Sequence, residues 1–192
     1  MKPVMLYFGS FNPIHKGHVA IAEFVLDEKL ADEVWFVVSP KNPLKNSDIL
    51  IDECDRLEMV RLAIAGSRYP ERLKASDIEF ALPKPSYTID TLRVLQQTYP
   101  GINFSLLFGS DITGQFHLWK EGKSILENFN VFVYPRSGYA NHDLDNAQLL
   151  AGAPYFDYSS TEIRDALRDG REIREMLPPH VYDYIKKKRL WM

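Results

Sequence analysis

"LYFGSFNPIHKGHVAIAEF", residues 6–24, opens as an apolar strand and closes as an apolar-striped helix. Between the two lie Gly9, Pro13 and Gly17 and two histidines, His15 and His18, three residues apart. A strand that turns through glycine into a helix is the first unit of a strand–helix alternation, so this stretch decides the fold. Gly9 lets the backbone turn tightly after Phe8, and Gly17 leaves room for a ligand at the helix mouth. N–H groups at such a mouth attract anions, and two imidazoles there can donate to the same anion. On the residues alone three readings stay open: a phosphate-binding turn, a metal site, or two satisfied histidines at an ordinary bend. The turn is neither the dinucleotide G-x-G-x-x-G fingerprint nor a Walker loop.

Outward from this unit, short runs that are apolar on both faces recur at 4–8, 33–38, 103–108 and 130–135, as buried parallel strands tend to be. A weaker, alternating run at 73–80 reads as an edge strand, and 154–159 as a last short one. Helical patterns fill the intervals at 18–30, 52–66, 88–100, 160–170 and 180–190, the last with its lysines in the final turn. The alternation predicts a Rossmann-like, doubly wound parallel sheet with helices on both faces and ligands outside the carboxyl ends of its strands. With no repeat or linker, residues 1–192 read as a single domain, 159–192 forming a small C-terminal helical cap.

Composition narrows the setting. At 192 residues the chain can bury a real core, and its net charge of −3 argues against a dedicated nucleic-acid binder. Cys54 is the only cysteine, which excludes an intrachain disulfide and a thiolate metal cage. The apolar run at the N-terminus is too short for a signal peptide and no later stretch would span a bilayer, so a cytoplasmic protein without a membrane partner is expected. His117, His142 and His180 have no ligand spacing, and no protein-held metal is expected. A homo-oligomer is left open.

The pattern Gly9-x-Phe11-x-Pro13-x-His15-x-Gly17-His18 resembles the first signature of the nucleotidyltransferase superfamily, and "YSSTEIR" (158–164) resembles its second. "PSYTIDTL" (85–92), "FGSDITGQFHLW" (108–119), "YPRSGY" (134–139) and the tail "LPPHVYDYIKKKRLW" are similar to stretches of bacterial nicotinate mononucleotide adenylyltransferases. The resemblance covers nearly the whole chain, thinning between 140 and 153. It implies transfer of AMP from ATP to nicotinate mononucleotide, with Mg²⁺ as cofactor held mainly by the ATP phosphates. Gly9, Ser10, Phe11, Gly17, Gly109, Asp111, Ser160, Thr161 and Arg164 would bind ATP. His15, His18, Lys45 and Arg164 would be catalytic, and Tyr87, Thr88, Trp119 and Arg136 would frame the acceptor.

Two departures stand out. Phe8 replaces the first of two glycines, and Asn42-Pro43-Leu44-Lys45 replaces the usual Pro-Pro-His-Lys, so Leu44 removes an imidazole donor. The alternatives are the same transfer to nicotinamide mononucleotide or phosphopantetheine, or a non-catalytic ATP-binding sensor.

Overall fold

Successive strand residues face opposite ways, and here each face meets its own layer of helices. In strand β1 (Lys2–Gly9), Val4 and Leu6 join one apolar cluster while Met5 and Tyr7 join the other. The same division runs through β2 (Glu33–Val38), where Trp35 and Val37 oppose Val34, Phe36 and Val38. This two-sided burial explains why the strands read as continuous apolar runs. The computed structural model describes residues 1–40, 50–136, 138, 139, 144 and 146–192; the expectations for Leu44, Lys45 and His142 lie outside them.

The remaining strands are β3 (Leu73–Ser76), β4 (Ile102–Gly109), β5 (Asn130–Tyr134) and β6 (Ala147–Leu149), in the order β3-β2-β1-β4-β5-β6 with every pair parallel. The chain therefore winds one way from β1 to β3 and the other way from β4 to β6. The gap between β1 and β4 is the switch point, where adjacent loops diverge and leave a crevice. This is the doubly wound sheet expected from the alternation.

One face carries α1 (Lys16–Asp27), α2 (Glu53–Ala65), α5 (Ser160–Arg168) and α6 (Pro179–Lys188), all contributing to the cluster around Tyr7 and Phe36. The C-terminal part caps this face: α6 is tied to α2 where Tyr184 Oη donates to Asp55 (2.6 Å) and Lys188 pairs with the same carboxylate (3.2 Å). The other face carries α3 (Thr88–Thr98) and α4 (Gly122–Asn128), whose Ile89, Leu92, Leu95 and Ile125 pack on Val4, Leu6 and Leu106. Among the described residues no helix is long and apolar enough to cross a membrane.

Three local expectations change. Residues 154–159 are not a strand; Pro154 lacks an N–H for a ladder, and the segment runs along the cavity instead. The sixth strand is Ala147–Leu149, three residues with no apolar run to betray them. The edge strand expected over 73–80 stops at Ser76, after which Ile78–Ala81 forms a 3-10 turn.

Candidate active site

A cavity of about 870 Å³ opens at the carboxyl ends of β1 and β4, the predicted place. It reaches from the β1–α1 loop and the start of α5 to the start of α3 and the 3-10 segment Ser110–Leu118. Of the described residues singled out from the sequence, Gly9, Ser10, Phe11, His15, Gly17, His18, Tyr87, Thr88, Gly109, Asp111, Trp119, Arg136, Ser160, Thr161 and Arg164 all line it.

The two histidine rings lie against each other, tilted by 31° with centroids 3.7 Å apart. His15 stands in extended conformation just before α1, and its backbone N–H donates to His18 Nδ1 (3.2 Å). An accepting Nδ1 leaves the proton of neutral His18 on Nε2, making that nitrogen a donor. His15 is buried, and both of its ring nitrogens lack a protein partner. Burial, reinforced by the charge of Arg136, lowers its pKa from 6.5 to about 3, so His15 is neutral at pH 7. Two unsatisfied polar atoms on a cavity wall are costly, and a bound ligand can relieve them.

The glycines of this loop also make room for neighbouring side chains. A Cβ on Gly17 would sit 3.0 Å from the His15 ring and 3.1 Å from Phe156, so the space it leaves is already filled by the chain. A Cβ on Gly9 would strike the Phe11 ring at 2.7 Å. Phe11 itself has φ +46 and is buried among Tyr7, Phe36 and His18, with its ring 5.2 Å from that of His18. Its main packing role is to back the histidine. The helix mouth is also partly closed, because the Lys16 amide donates to Met176 O (3.0 Å).

The second signature reaches back to the first. Arg164 Nη1 donates to Asn12 O (2.7 Å), and Ser160 Oγ donates to Pro13 O (2.9 Å). Thr161 Oγ1 accepts from Arg164 Nη2 (3.1 Å) and so orients the fork, while Arg164 Nε is buried without a protein partner. Ser159 is a helix cap: its hydroxyl accepts from the Glu162 amide (3.3 Å), and its own amide donates to Glu162 (2.6 Å).

At the other end, Asp111 and Arg136 hold each other. Arg136 Nη1 lies 2.9 Å from Asp111 Oδ2, and the Arg136 amide donates to Ser110 Oγ (3.0 Å). A Cβ on Gly109 would meet both Arg136 and Asp111 at 2.5 Å, so glycine there makes room for the ion pair. Trp119 is half-buried, stacked on Phe116 at 4.8 Å and edge-on to Phe108 at 4.9 Å. Tyr87 caps α3 and is 36% exposed, with Lys120 Nζ 5.0 Å from its ring centroid.

Two site-building residues escaped the sequence reading. Arg56 is fully buried and donates to four backbone carbonyls: Ser10 (2.6 Å), Ser39 (2.8 Å), Pro40 (3.1 Å) and Ile51 (3.2 Å). It fastens the β1 loop to the end of β2. The available signal was an arginine on the helix face shared with Met59, Val60 and Ala63. Glu79 is buried at the cavity edge, accepting from Ser86 Oγ and Thr91 Oγ1 at 2.8 Å each.

Known proteins complete the description. The cytidylyltransferase-like family model matches residues 6–166. A Flavobacterium psychrophilum protein named "Probable nicotinate-nucleotide adenylyltransferase" is 43% identical over 187 residues, 94% of each chain. A Bacteroides fragilis protein of the same name is 47% identical over 186 residues, 94% of this chain and 89% of its own. Among solved structures, Plasmodium falciparum nicotinic acid mononucleotide adenylyltransferase complexed with NaAD superposes with a TM-score of 0.83 at 22% identity, covering 100% of this chain and 98% of that one. With both signatures joined at one cavity and identities of this order, the chain belongs to the cytidylyltransferase-like family and, within it, to the nicotinate-nucleotide adenylyltransferases.

Proposed function

We propose that this cavity binds ATP at its histidine end and nicotinate mononucleotide at its tryptophan end, moving AMP between them to give deamido-NAD and pyrophosphate in NAD biosynthesis. The observation that carries this reading is the meeting of the two signatures. Arg164 and Ser160 clasp the Asn12–Pro13 backbone, so a guanidinium and two imidazoles stand on one cavity wall. Gly9, Ser10, Gly17, Ser160 and Thr161 then shape the ATP end, with Phe11 behind it. Gly109 and Asp111 reach the nucleoside of ATP, and Tyr87, Thr88, Trp119 and Arg136 frame the acceptor.

The reaction needs alignment more than proton transfer. The acceptor's phosphate monoester is already anionic at neutral pH, so no base has to activate it. The site must bring it in line with the α-phosphorus and neutralise charge on the departing pyrophosphate. His18, with its proton on Nε2, donates to an α-phosphate oxygen. His15, neutral through burial, adds a second uncharged donor or acceptor rather than a cation. Arg164 supplies permanent positive charge to the leaving phosphates, aided by Lys45. No covalent intermediate is required.

The Arg164 guanidinium and the Nε2–H of His18 donate to anions, which fits Mg²⁺ arriving on the ATP phosphates. The indole of Trp119 offers a flat face to a pyridinium ring. The chain works as one domain, in the cytoplasm, on small molecules.

The test is pyrophosphate release from ATP and Mg²⁺ with each acceptor supplied separately. Release with nicotinate mononucleotide supports the reading. Preferential release with nicotinamide mononucleotide or phosphopantetheine reassigns the acceptor, and ATP binding without release indicates a sensor.

A further inference from the structure

Two acidic side chains are buried in the described structure, and their surroundings differ. Glu33 is held by two cations, Lys2 at 2.6 Å and Lys74 at 2.9 Å, with the Trp35 indole donating at 2.8 Å. Glu79 has no cation among the described residues. Its hydrogen-bond partners are the hydroxyls of Ser86 and Thr91, and burial pushes its carboxyl up from the usual carboxylate range. Placing a carboxyl there is unfavourable unless the bonds it makes are needed. What it offers is a fork of two equivalent acceptor oxygens, which no neutral side chain has.

Those bonds lie on both sides of the candidate acceptor residues. Ser86 precedes Tyr87 and Thr88, and Thr91 follows one turn into α3, its hydroxyl also 3.3 Å from Tyr87 O. One oxygen of Glu79 takes each hydroxyl, so the carboxylate fixes the first turn of α3 from both ends. The 3-10 turn that carries Glu79 packs against β2, and Ser39 follows the last residue of that strand. The Ser39 amide donates to Gly9 O (2.9 Å), and its carbonyl accepts from Arg56, which also donates to Ser10 O. Hydrogen bonds thus tie Ser10, beside the histidines, to the end of β2, and Glu79, on the turn packed there, holds the mouth of α3.

We propose that Glu79 is a positioning residue for the acceptor nucleotide: its carboxylate locks the Ser86–Thr91 turn onto the 3-10 turn that packs against β2 and thereby sets the span between the acceptor and the ATP end. The proposal rests on the assignment of the α3 mouth to the acceptor. It adds a residue that need not touch either substrate, acting through Ser86 and Thr91. In-line transfer is sensitive to that span, since small misplacements of one reactant cost rate steeply.

The test compares Glu79→Ala, Glu79→Gln and Ser86→Ala in the full chain by steady-state kinetics and amide hydrogen exchange. Glu79→Ala is expected to raise KM for nicotinate mononucleotide about tenfold while KM for ATP stays within about twofold. Glu79→Gln, which keeps the shape and one acceptor oxygen, is expected to recover to within about threefold of the parent. Ser86→Ala removes a single contact and is expected to raise the acceptor KM alone by about threefold, which keeps the test open if Glu79→Ala folds poorly. Exchange at the first turn of α3 should accelerate in Glu79→Ala while the first turns of α1 and α5 are unaffected. Unchanged KM and exchange overturn the proposal, as does a parallel rise in both KM values. Should the parent enzyme prefer another acceptor, the functional assignment falls while the exchange comparison still decides the role of Glu79.

Discussion

The two ends of the cavity are built on different principles. At the histidine end the polar groups are buried and bound to main chain: Arg56 to four carbonyls, Arg164 to Asn12 O, Ser160 to Pro13 O. At the acceptor end the rim is exposed and apolar, with Tyr87 at 36%, Leu118 at 58% and Tyr139 at 55% exposure. Its rim ion pairs, Lys120–Asp90 and Arg93–Glu121, stand in solvent, with Arg136–Asp111 shielded beneath them. Main-chain carbonyls fixed by buried cations cannot shift without breaking several bonds together, whereas exposed rings and surface pairs rearrange at little cost. A phosphate-transfer end needs its donors set before the substrate arrives; a base-binding end can adjust around a flat ring.

This contrast can be attacked at its strongest point first. Arg56→Ala leaves four carbonyls without their donor and is expected to cost at least about 3 kcal/mol of stability, read from urea unfolding. A loss below about 1 kcal/mol would mean that the histidine end is not rigidly built. His18→Ala should lower kcat by about a hundred- to a thousandfold at saturating substrates, the usual consequence of losing one preorganised donor. Near-parental turnover would remove His18 from the chemistry. At the softer end, Trp119→Ala should raise KM for nicotinate mononucleotide about tenfold and leave KM for ATP unchanged, because one stacking face is lost.

A pH experiment sharpens the same distinction. His15 has a pKa of about 3 in the folded protein against 6.5 unfolded. Between those values the unfolded chain binds a proton that the folded chain refuses, so stability falls as pH drops from about 6.5 towards 3. The slope from this group approaches about 1.4 kcal/mol per pH unit. In His15→Asn that component should vanish from the pH dependence of unfolding. At the far edge of the molecule the smallest effect is expected: Tyr184→Phe removes the bond to Asp55 and should cost about 1 kcal/mol.

Much of the fold was legible because two-sided burial leaves a mark that one chain displays by itself. The runs at 4–8, 33–38, 103–108 and 130–135 are β1, β2, β4 and β5, and the alternation gave their parallel arrangement. β6 was invisible because Ala147–Leu149 is too short to show a period, and the run over 154–159 mimicked a strand while Phe156 and Tyr158 line the cavity. Within the site, the signatures revealed which residues gather but not what each touches. Ser159 is a cap, Gly17 makes room for His15, and Phe11 backs His18. Arg56 and Glu79 stayed hidden for a different reason: their partners lie on other elements, and a charged residue destined for burial reads like one destined for solvent.

The bonds from Arg164 and Ser160 back to Asn12 and Pro13 span 152 and 147 residues. During synthesis the β1–α1 unit emerges early and Arg56 fastens Ser10 soon after, yet the carbonyls of Asn12 and Pro13 wait for α5 before they are bound. A nucleotide bound across both signatures would act as a non-covalent staple between the first and last parts of the polypeptide, adding stability as its concentration rises above its dissociation constant.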